Sequence, residues 1–185
     1  HSIKFKFDDA KSSTGANLIE IENIDLIDIA TIDVDEDALK YSPILYGRDL
    51  LSWNESTHTD IPLIMWHDIN QEGSNKRITY SIIFSNEDSR IGVGLSDLMY
   101  SYGRTTDIEW MYEVLLSETG VILSEIFQGA SHITTNFQGN KIGMHPILKN
   151  ATLNCNFTDV GTSDYKFFLS PIYTAAEGYT RQVLM

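Results

Sequence analysis

The chain has 185 residues, and its 26 acidic against 13 basic residues give a formal net charge of −13 at pH 7. This length is typical of one domain that buries its own core. The negative charge opposes binding to nucleic-acid backbones and makes divalent cations the first ligand class to consider. The single cysteine, Cys155, excludes an internal disulfide. No apolar run approaches the roughly 18 residues that cross a bilayer, so we expect neither a nucleic-acid partner nor a membrane-spanning segment.

Taken in chain order, the sequence predicts short strands separated by polar turns. Alternating residues 2–7 predict a first strand, and residues 11–17 predict a loop. The β-branched content of residues 18–34 favours strands there. A short helix capped by Asp35 is expected at residues 35–41. The remaining predicted elements are strands at 43–46, 61–67, 78–84, 152–157 and 165–169, polar connections at 52–60 and 70–76, and a short helix at 95–102.

Residues 106–128 fit two structures. Thr106 and Glu109 form a capping box ahead of a helical apolar pattern. The same segment also alternates polar and apolar residues on either side of a four-residue turn, 117–120, which contains a glycine. We favour a hairpin, because it explains both halves of the segment at once.

Many short strands, regular turns and few helical signals predict an all-β fold. We expect a single antiparallel β-sandwich with one or two short helices. Residues 1–185 are expected to form this one domain, with residues 1–17 as an N-terminal strand and loop arm. No internal repeat or interdomain linker is visible.

Familiar catalytic and metal-binding motifs are missing from the sequence. It contains no nucleophile elbow, P-loop or dinucleotide-binding glycine motif. Asp33, Asp35 and Asp37 have the spacing that starts an EF-hand loop, but Ala38 replaces the required glycine and Ile44 the bidentate glutamate. We therefore expect these acids to form a solvated edge that deters strand pairing.

A second acidic pattern is more informative. On a strand, Asp107 and Glu109 point to one face, and two carboxylates on an otherwise apolar strand are costly unless they are paired or bind a metal. Asp88, beyond the strand that ends at Phe84, would add a third carboxylate. Oxygen ligands of this kind suit calcium or magnesium. The alternative is that Asp107 and Glu109 lie on the solvent face and pair with Arg104 or with lysines.

The residues around this pattern resemble a known family. The segment G-R-T-T-D-I-E at 103–109 is similar to the G-H-R-H-D-W-E heptad of the necrosis- and ethylene-inducing-like proteins, with Gly103, Asp107 and Glu109 matched. Residues 80–88 resemble the strand that precedes the heptad. Either Asp88 or Glu87 matches the aspartate that follows that strand in the family.

Three further segments resemble a related vacuolar-sorting-like family. They are L-K-Y-S-P-I-L-Y at 39–46, Q-G-A-S-H at 128–132 and H-P-I-L at 145–148. The similarity spans roughly residues 39–157, and the order of the segments along the chain is its main support.

The resemblance to the necrosis-inducing-like family implies a β-sandwich that binds a divalent cation, with Asp88, Asp107 and Glu109 as ligands. Toxic members of that family act at plant membranes by recognising sphingolipid sugars. Here Arg104 stands where the family has a metal-binding histidine, and arginine cannot ligate a cation. Either Arg104 neutralises the acids in a metal-free site, or the carboxylates and water hold calcium with Arg104 turned away.

We therefore expect a secreted or surface-associated recognition domain that binds a glycan or a lipid headgroup, bridged by calcium or magnesium. Since the chain begins with His1 rather than Met, we expect it to derive from a longer or processed product. One alternative is a polysaccharide-acting enzyme, in which Glu109 or His132 is the base and Arg104 stabilises negative charge. The other is a structural accessory module without a ligand.

Four other residues have simpler interpretations. His67 and Asp68, near the end of a predicted strand, could serve acid–base chemistry, but we favour a hydrogen-bonded surface pair. His145 precedes Pro146 and is expected to begin a strand. Cys155 is expected to be a small buried hydrophobe.

Overall fold

The structure is a computed structural model that describes residues 35–48, 61–85, 99–101, 103–152, 155–164, 166–168 and 173–174. These residues belong to one compact unit, Val34–Met185. The elements predicted for residues 2–34, with the N-terminal arm, and the connection at 52–60 lie outside the described residues. The one-domain organisation of residues 1–185 stays a prediction.

The described residues are mostly strands. A short helix, α1, spans Glu36–Lys40, and a 3₁₀ turn spans Ala130–His132. The strands are β1 (Ile44–Tyr46), β2 (Pro62–Glu72), β3 (Asn75–Phe84), β4 (Asp107–Leu116), β5 (Ile122–Gln128), β6 (Thr134–Asn136), β7 (Lys141–Ile142), β8 (His145–Asn150), β9 (Phe157–Thr158), β10 (Lys166–Phe168) and β11 (Tyr173–Thr174).

These strands form two sheets. The large sheet has the order β11-β2-β3-β4-β5-β6, and the small sheet has the order β10-β1-β8-β7 with β9 also paired to β8. The pairs β1–β8 and β11–β2 are parallel, and the other described pairs are antiparallel. The all-β prediction is confirmed.

The two sheets enclose a shared apolar core, which makes the fold a sandwich. Leu45, Leu148 and Phe157 of the small sheet cluster with inner residues of the large sheet, such as Ile82 and Phe84. The Phe84 and Phe157 rings stack with centroids 6.2 Å apart. Burial of such aromatic and aliphatic side chains is the main stabilising term of the fold.

A polar contact also joins the sheets. Lys141 of β7 lies with its Nζ 2.5 Å from Glu125 Oε1 of β5. Tyr112 of β4, which is fully buried, donates its hydroxyl hydrogen bond to the same carboxylate. Burial, reinforced by Glu125, raises the pKa of Tyr112 above its usual value, so this phenol stays a donor.

The predicted hairpin at 106–128 is confirmed as β4 and β5, and the helical alternative is wrong. The turn closes with the Ser117 amide donating to the Val121 carbonyl at 2.8 Å, and Gly120 takes a φ of +76°. Because Val114 and Leu116 are buried in the core at strand spacing, packing between the sheets overrides the capping pattern at Thr106.

The predicted helix at 35–41 is confirmed as α1, but the solvated acidic edge is wrong for Asp35 and Asp37. Asp35 caps the helix by accepting from the Ala38 amide at 3.1 Å. Lys76 Nζ lies 3.1 Å from Asp35 and 2.6 Å from Asp37. Tyr80 donates to the Ala38 carbonyl at 2.6 Å, so these contacts hold α1 on the large sheet. Asp33 lies outside the described residues.

The polar connection predicted at 70–76 is wrong in most positions. β2 runs to Glu72 and β3 begins at Asn75, so only Gly73 and Ser74 form the turn. Gly73 takes a φ of +64°, which suits a two-residue hairpin. The strands continue through polar residues because their outer positions face water.

Later elements differ from the prediction mainly in their bounds. Residues 152, 155 and 156 are not in a strand, and β9 holds only Phe157–Thr158. The strand predicted at 165–169 is observed as Lys166–Phe168, and His145 begins β8 as expected. Residues 99–101 of the predicted helix 95–102 are helical, and its other residues lie outside the described part of the chain.

Candidate functional site

A register shift in the β3–β4 pair decides which way the acidic residues face. Tyr80 pairs with Tyr112, but Ser81 pairs with Trp110. Met111 is therefore an extra residue of β4, as in a β-bulge. Because side chains alternate along a strand, one extra residue changes which β4 positions share a face with the inner residues of β3.

Beyond this bulge, Asp107 pairs with Phe84 and Glu109 pairs with Ile82. Phe84 and Ile82 belong to the core, and paired residues of antiparallel strands point to the same side. Asp107 and Glu109 are only 7% and 5% exposed. The prediction that they share a face is confirmed, and the alternative that this is the solvent face is wrong.

Two side chains from the end of β5 and the following turn approach Glu109. Gln128, the last residue of β5, is buried and donates from Nε2 to Glu109 Oε2 at 2.5 Å. His132 Nδ1 lies 3.6 Å from Glu109 Oε1, and 49% of the His132 side chain is exposed. Buried carboxylates need such partners, because desolvation of an isolated charge costs roughly several kcal/mol. The Glu109 carboxylate thus joins a buried amide to an imidazole at the surface.

The turn that carries His132 has a tightly specified backbone. The Gly129 amide donates to the Ile133 carbonyl at 2.8 Å, which closes the turn. A Cβ at Gly129 would come within 2.6 Å of Thr135 Oγ1, so a larger residue there would require the Thr135 side chain to move. Ser131 and His132 both take positive φ values, 58° and 60°.

Arg104 lies in the loop that leads into β4. It follows Gly103, whose φ is +67° and whose amide donates to the Met99 carbonyl at 2.9 Å. The Arg104 guanidinium donates to the carbonyl of Thr106, two residues further along. This contact fixes the arginine to the backbone of its own loop, immediately before Asp107. Neutralisation of the acids by Arg104 stays a prediction.

The third predicted metal ligand, Asp88, and its alternative, Glu87, lie outside the described residues. Within the part of the chain that the structure describes, no group of three or more His, Cys, Asp or Glu side chains is arranged to hold a metal ion. Of the predicted residues, the structure brings Glu109 and His132 into contact and places Asp107 on the same strand face, two positions from Glu109. Calcium or magnesium binding stays a prediction.

Sequence reasoning missed Gln128 as a member of the site. Gln128 lies within the Q-G-A-S-H segment that resembles the vacuolar-sorting-like family, and it ends an alternating strand. A glutamine that continues such a strand next to a predicted acidic site is a usable signal. No local signal marks Asn156, whose Oδ1 accepts from the Ser131 amide at 2.9 Å.

His67 and Asp68 do not form the expected surface pair. They lie within β2, where His67 is fully buried opposite Tyr80 and Asp68 is opposite Thr79 on the other face. Adjacent strand residues point to opposite faces, so the two side chains cannot act as a hydrogen-bonded dyad across the strand. Burial raises the pKa of Asp68, and the nearby His67 partly opposes this shift.

No protein-family model and no curated protein matches the sequence. The solved structures with similarity to this chain include Necrosis and Ethylene inducing Protein 2 from the causal agent of cocoa's Witches Broom disease, with 11% identity, a TM-score of 0.48, and coverage of 75% of this chain and 77% of that chain. They also include NLPPya in complex with mannosamine and in complex with glucosamine, each with 11% identity, a TM-score of 0.46, and coverage of 74% of this chain and 70% of that chain. These similarities are too low to assign the chain to a family.

Gln128→Ala should lower the free energy of unfolding by about 2 kcal/mol, because it removes a buried donor from the Glu109 carboxylate. Urea denaturation at pH 7 measures this loss. Gln138→Ala is the control, because Gln138 is exposed and its hydrogen bond to Asp159 uses the main-chain amide. Equal losses in the two variants would contradict the role given to Gln128.

Asp68→Asn should stabilise the protein at pH 7, where the wild-type carboxylate is charged and partly desolvated. Since the pKa of Asp68 is higher in the folded state, the wild type gains stability relative to this variant as the pH falls. The difference should vanish below the ordinary pKa of 3.8, where the carboxyl is protonated in both states. Urea unfolding between pH 7 and pH 3 tests this, and a pH-independent difference would contradict it.

Proposed function

We propose that the protein is a carbohydrate-recognition β-sandwich that binds a glycan at Asp107, Glu109, Gln128 and His132. The observation that supports this most strongly is the burial of two carboxylates on the inner, apolar side of the β3–β4 pair. Hydrophobic residues of similar volume would serve stability at least as well. Two acids at such positions therefore favour a role in binding over a role in packing.

The chemistry of the four side chains suits a sugar. Carboxylates accept hydrogen bonds from hydroxyl and ammonium groups, while an amide and an imidazole both donate and accept. Few polar groups at fixed positions set the orientation of a bound ligand. His132 is the half-exposed member, so we infer that the ligand approaches Glu109 from the imidazole side.

The proposal includes a divalent cation that bridges the sugar and the acids. Asp107 and Glu109 supply hard oxygen ligands, and Asp88 would be the third carboxylate. Magnesium commonly uses one or two carboxylates together with water, whereas calcium takes six to eight oxygens. Arg104 supplies no ligand, so water or the sugar would occupy the position that a histidine takes in the family with the similar heptad.

Secretion or surface association belongs to the same proposal, since glycans and glycolipid headgroups are presented outside cells. No helix among the described residues is long and apolar enough to cross a bilayer.

An enzyme on this fold is the alternative, with Glu109 or His132 as the base. The enzyme would be favoured if the wild type hydrolyses a member of a polysaccharide panel and Glu109→Gln abolishes this activity while the protein stays folded.

Binding of glucosamine measured by calorimetry tests the glycan site. Glu109→Gln should weaken the affinity at least tenfold, which is about 1.4 kcal/mol, because the substitution removes the charge that faces the ligand. Glu118→Gln makes the same charge change in the exposed β4–β5 turn and should bind like the wild type. Wild-type affinity in Glu109→Gln would contradict the assigned site.

Thermal unfolding with and without calcium or magnesium tests the cation. A ligand that binds only the folded state raises the unfolding temperature, by an amount equivalent to about 2.7 kcal/mol at one hundred times the dissociation constant. Asp107→Asn should abolish the rise, and excess chelator should reverse it in the wild type. An equal rise in Asp107→Asn would show that any bound cation lies elsewhere.

A further inference from the structure

Three non-glycine residues have a positive φ in the described part of the chain, and they lie around one contact. They are Ser131 (58°), His132 (60°) and Cys155 (45°). Residues with a Cβ rarely adopt this left-handed conformation, which persists where the surrounding structure imposes it. Such strain concentrates at ligand-binding sites, and here it lies beside Glu109.

The contact between the two strained segments is made by Asn156. Its Oδ1 accepts a hydrogen bond from the Ser131 amide at 2.9 Å. This bond joins the 130–132 turn, which follows the large sheet strand β5, to the segment that precedes β9 of the small sheet. The Asn156 side chain therefore links two connecting segments, one next to each sheet of the sandwich.

Asn156 is itself held rigidly. It is 3% exposed, its amide donates to Thr152 Oγ1 at 3.1 Å, and its carbonyl accepts from the Ala151 amide at 2.8 Å. The next residue, Phe157, stacks on Phe84, the residue paired with Asp107. The acceptor that Ser131 meets is thus part of the packed core.

We propose that Asn156 is a positioning residue, whose side-chain oxygen holds the left-handed turn in which His132 faces Glu109. The consequence for ligand binding rests on the proposed glycan site. Without the Asn156 acceptor, the turn should relax toward ordinary φ values, which moves the His132 ring away from its place 3.6 Å from Glu109. Loss of this preorganisation weakens binding without removing any group that touches the ligand.

Asn156→Ala is the direct test, with two measurements. Hydrogen exchange followed by NMR should show the Ser131 amide exchanging at least tenfold faster, with a smaller acceleration of the β3 amides, which report global unfolding. Calorimetry should show at least a tenfold loss of glucosamine affinity. Asn156→Asp, which keeps an acceptor at the same atom, should restore slow exchange and binding. A role in general stability alone would accelerate exchange in β3 at least as much as at Ser131.

Asn136→Ala is the control, because Asn136 is an exposed asparagine in β6, the strand that follows the same turn, and its substitution leaves the Thr152 and Asn156 contacts in place. This variant should leave the exchange of the Ser131 amide unchanged. If Asn156→Ala does not fold, Asn156→Ser replaces it, since the shorter side chain withdraws the acceptor by one bond.

The outcomes separate this proposal from the glycan site. Wild-type binding that survives in Asn156→Ala would overturn the positioning role and leave the glycan site standing. If the wild type binds no glucosamine, the glycan site fails for this sugar, and the exchange of the Ser131 amide alone decides whether Asn156 holds the turn. Unchanged exchange in Asn156→Ala would overturn it in either case.

Discussion

The burial of two carboxylates on the inner side of an apolar strand pair is the constraint on which the site depends. Asp107 and Glu109 face inward because Met111 is an extra residue in β4, opposite the step from Tyr80 to Ser81. A buried charge without partners would be severely destabilising. The surrounding elements therefore have to supply polar groups at fixed positions, and Gln128 and His132 do so for Glu109.

The rest of the sandwich makes those positions stable. β3, β4 and β5 are consecutive antiparallel strands in the interior of the large sheet, so the site is built on paired backbone. The Lys141–Glu125 contact and the Phe84–Phe157 stack tie this sheet to the small sheet. Asn156 adds a contact from the small-sheet side to the turn that carries His132. A recognition site with little freedom to rearrange loses less entropy when a ligand binds.

Alternating residues and capping residues within one segment correctly predicted the elements that the segment forms largely by itself. The hairpin at 106–128 follows from alternation around the Gly120 turn, and α1 follows from the cap at Asp35. The alternation also predicted that Asp107 and Glu109 share a face. It could not show that this face is the inner one, because a one-residue bulge is set by pairing with β3 rather than by the β4 sequence.

The wrong predictions likewise arise from pairing and contacts between segments, which no single segment shows. Residues 70–72 and 75–76 look like a loop because they are polar, but pairing between β2 and β3 extends through them. His67 and Asp68 are adjacent in sequence, yet the strand places them on opposite faces. Gln128 and Asn156 enter the site through contacts with residues 19 and 25 positions away, which no single segment reveals.

The decisive experiment is a crystal structure of the protein soaked with glucosamine and calcium. Sugar density is expected within hydrogen-bond distance of Glu109, on the His132 side, with a cation between the sugar and Asp107. A bidentate ion pair from Arg104 to Asp107 and Glu109, with the sugar bound elsewhere, would contradict the proposed site.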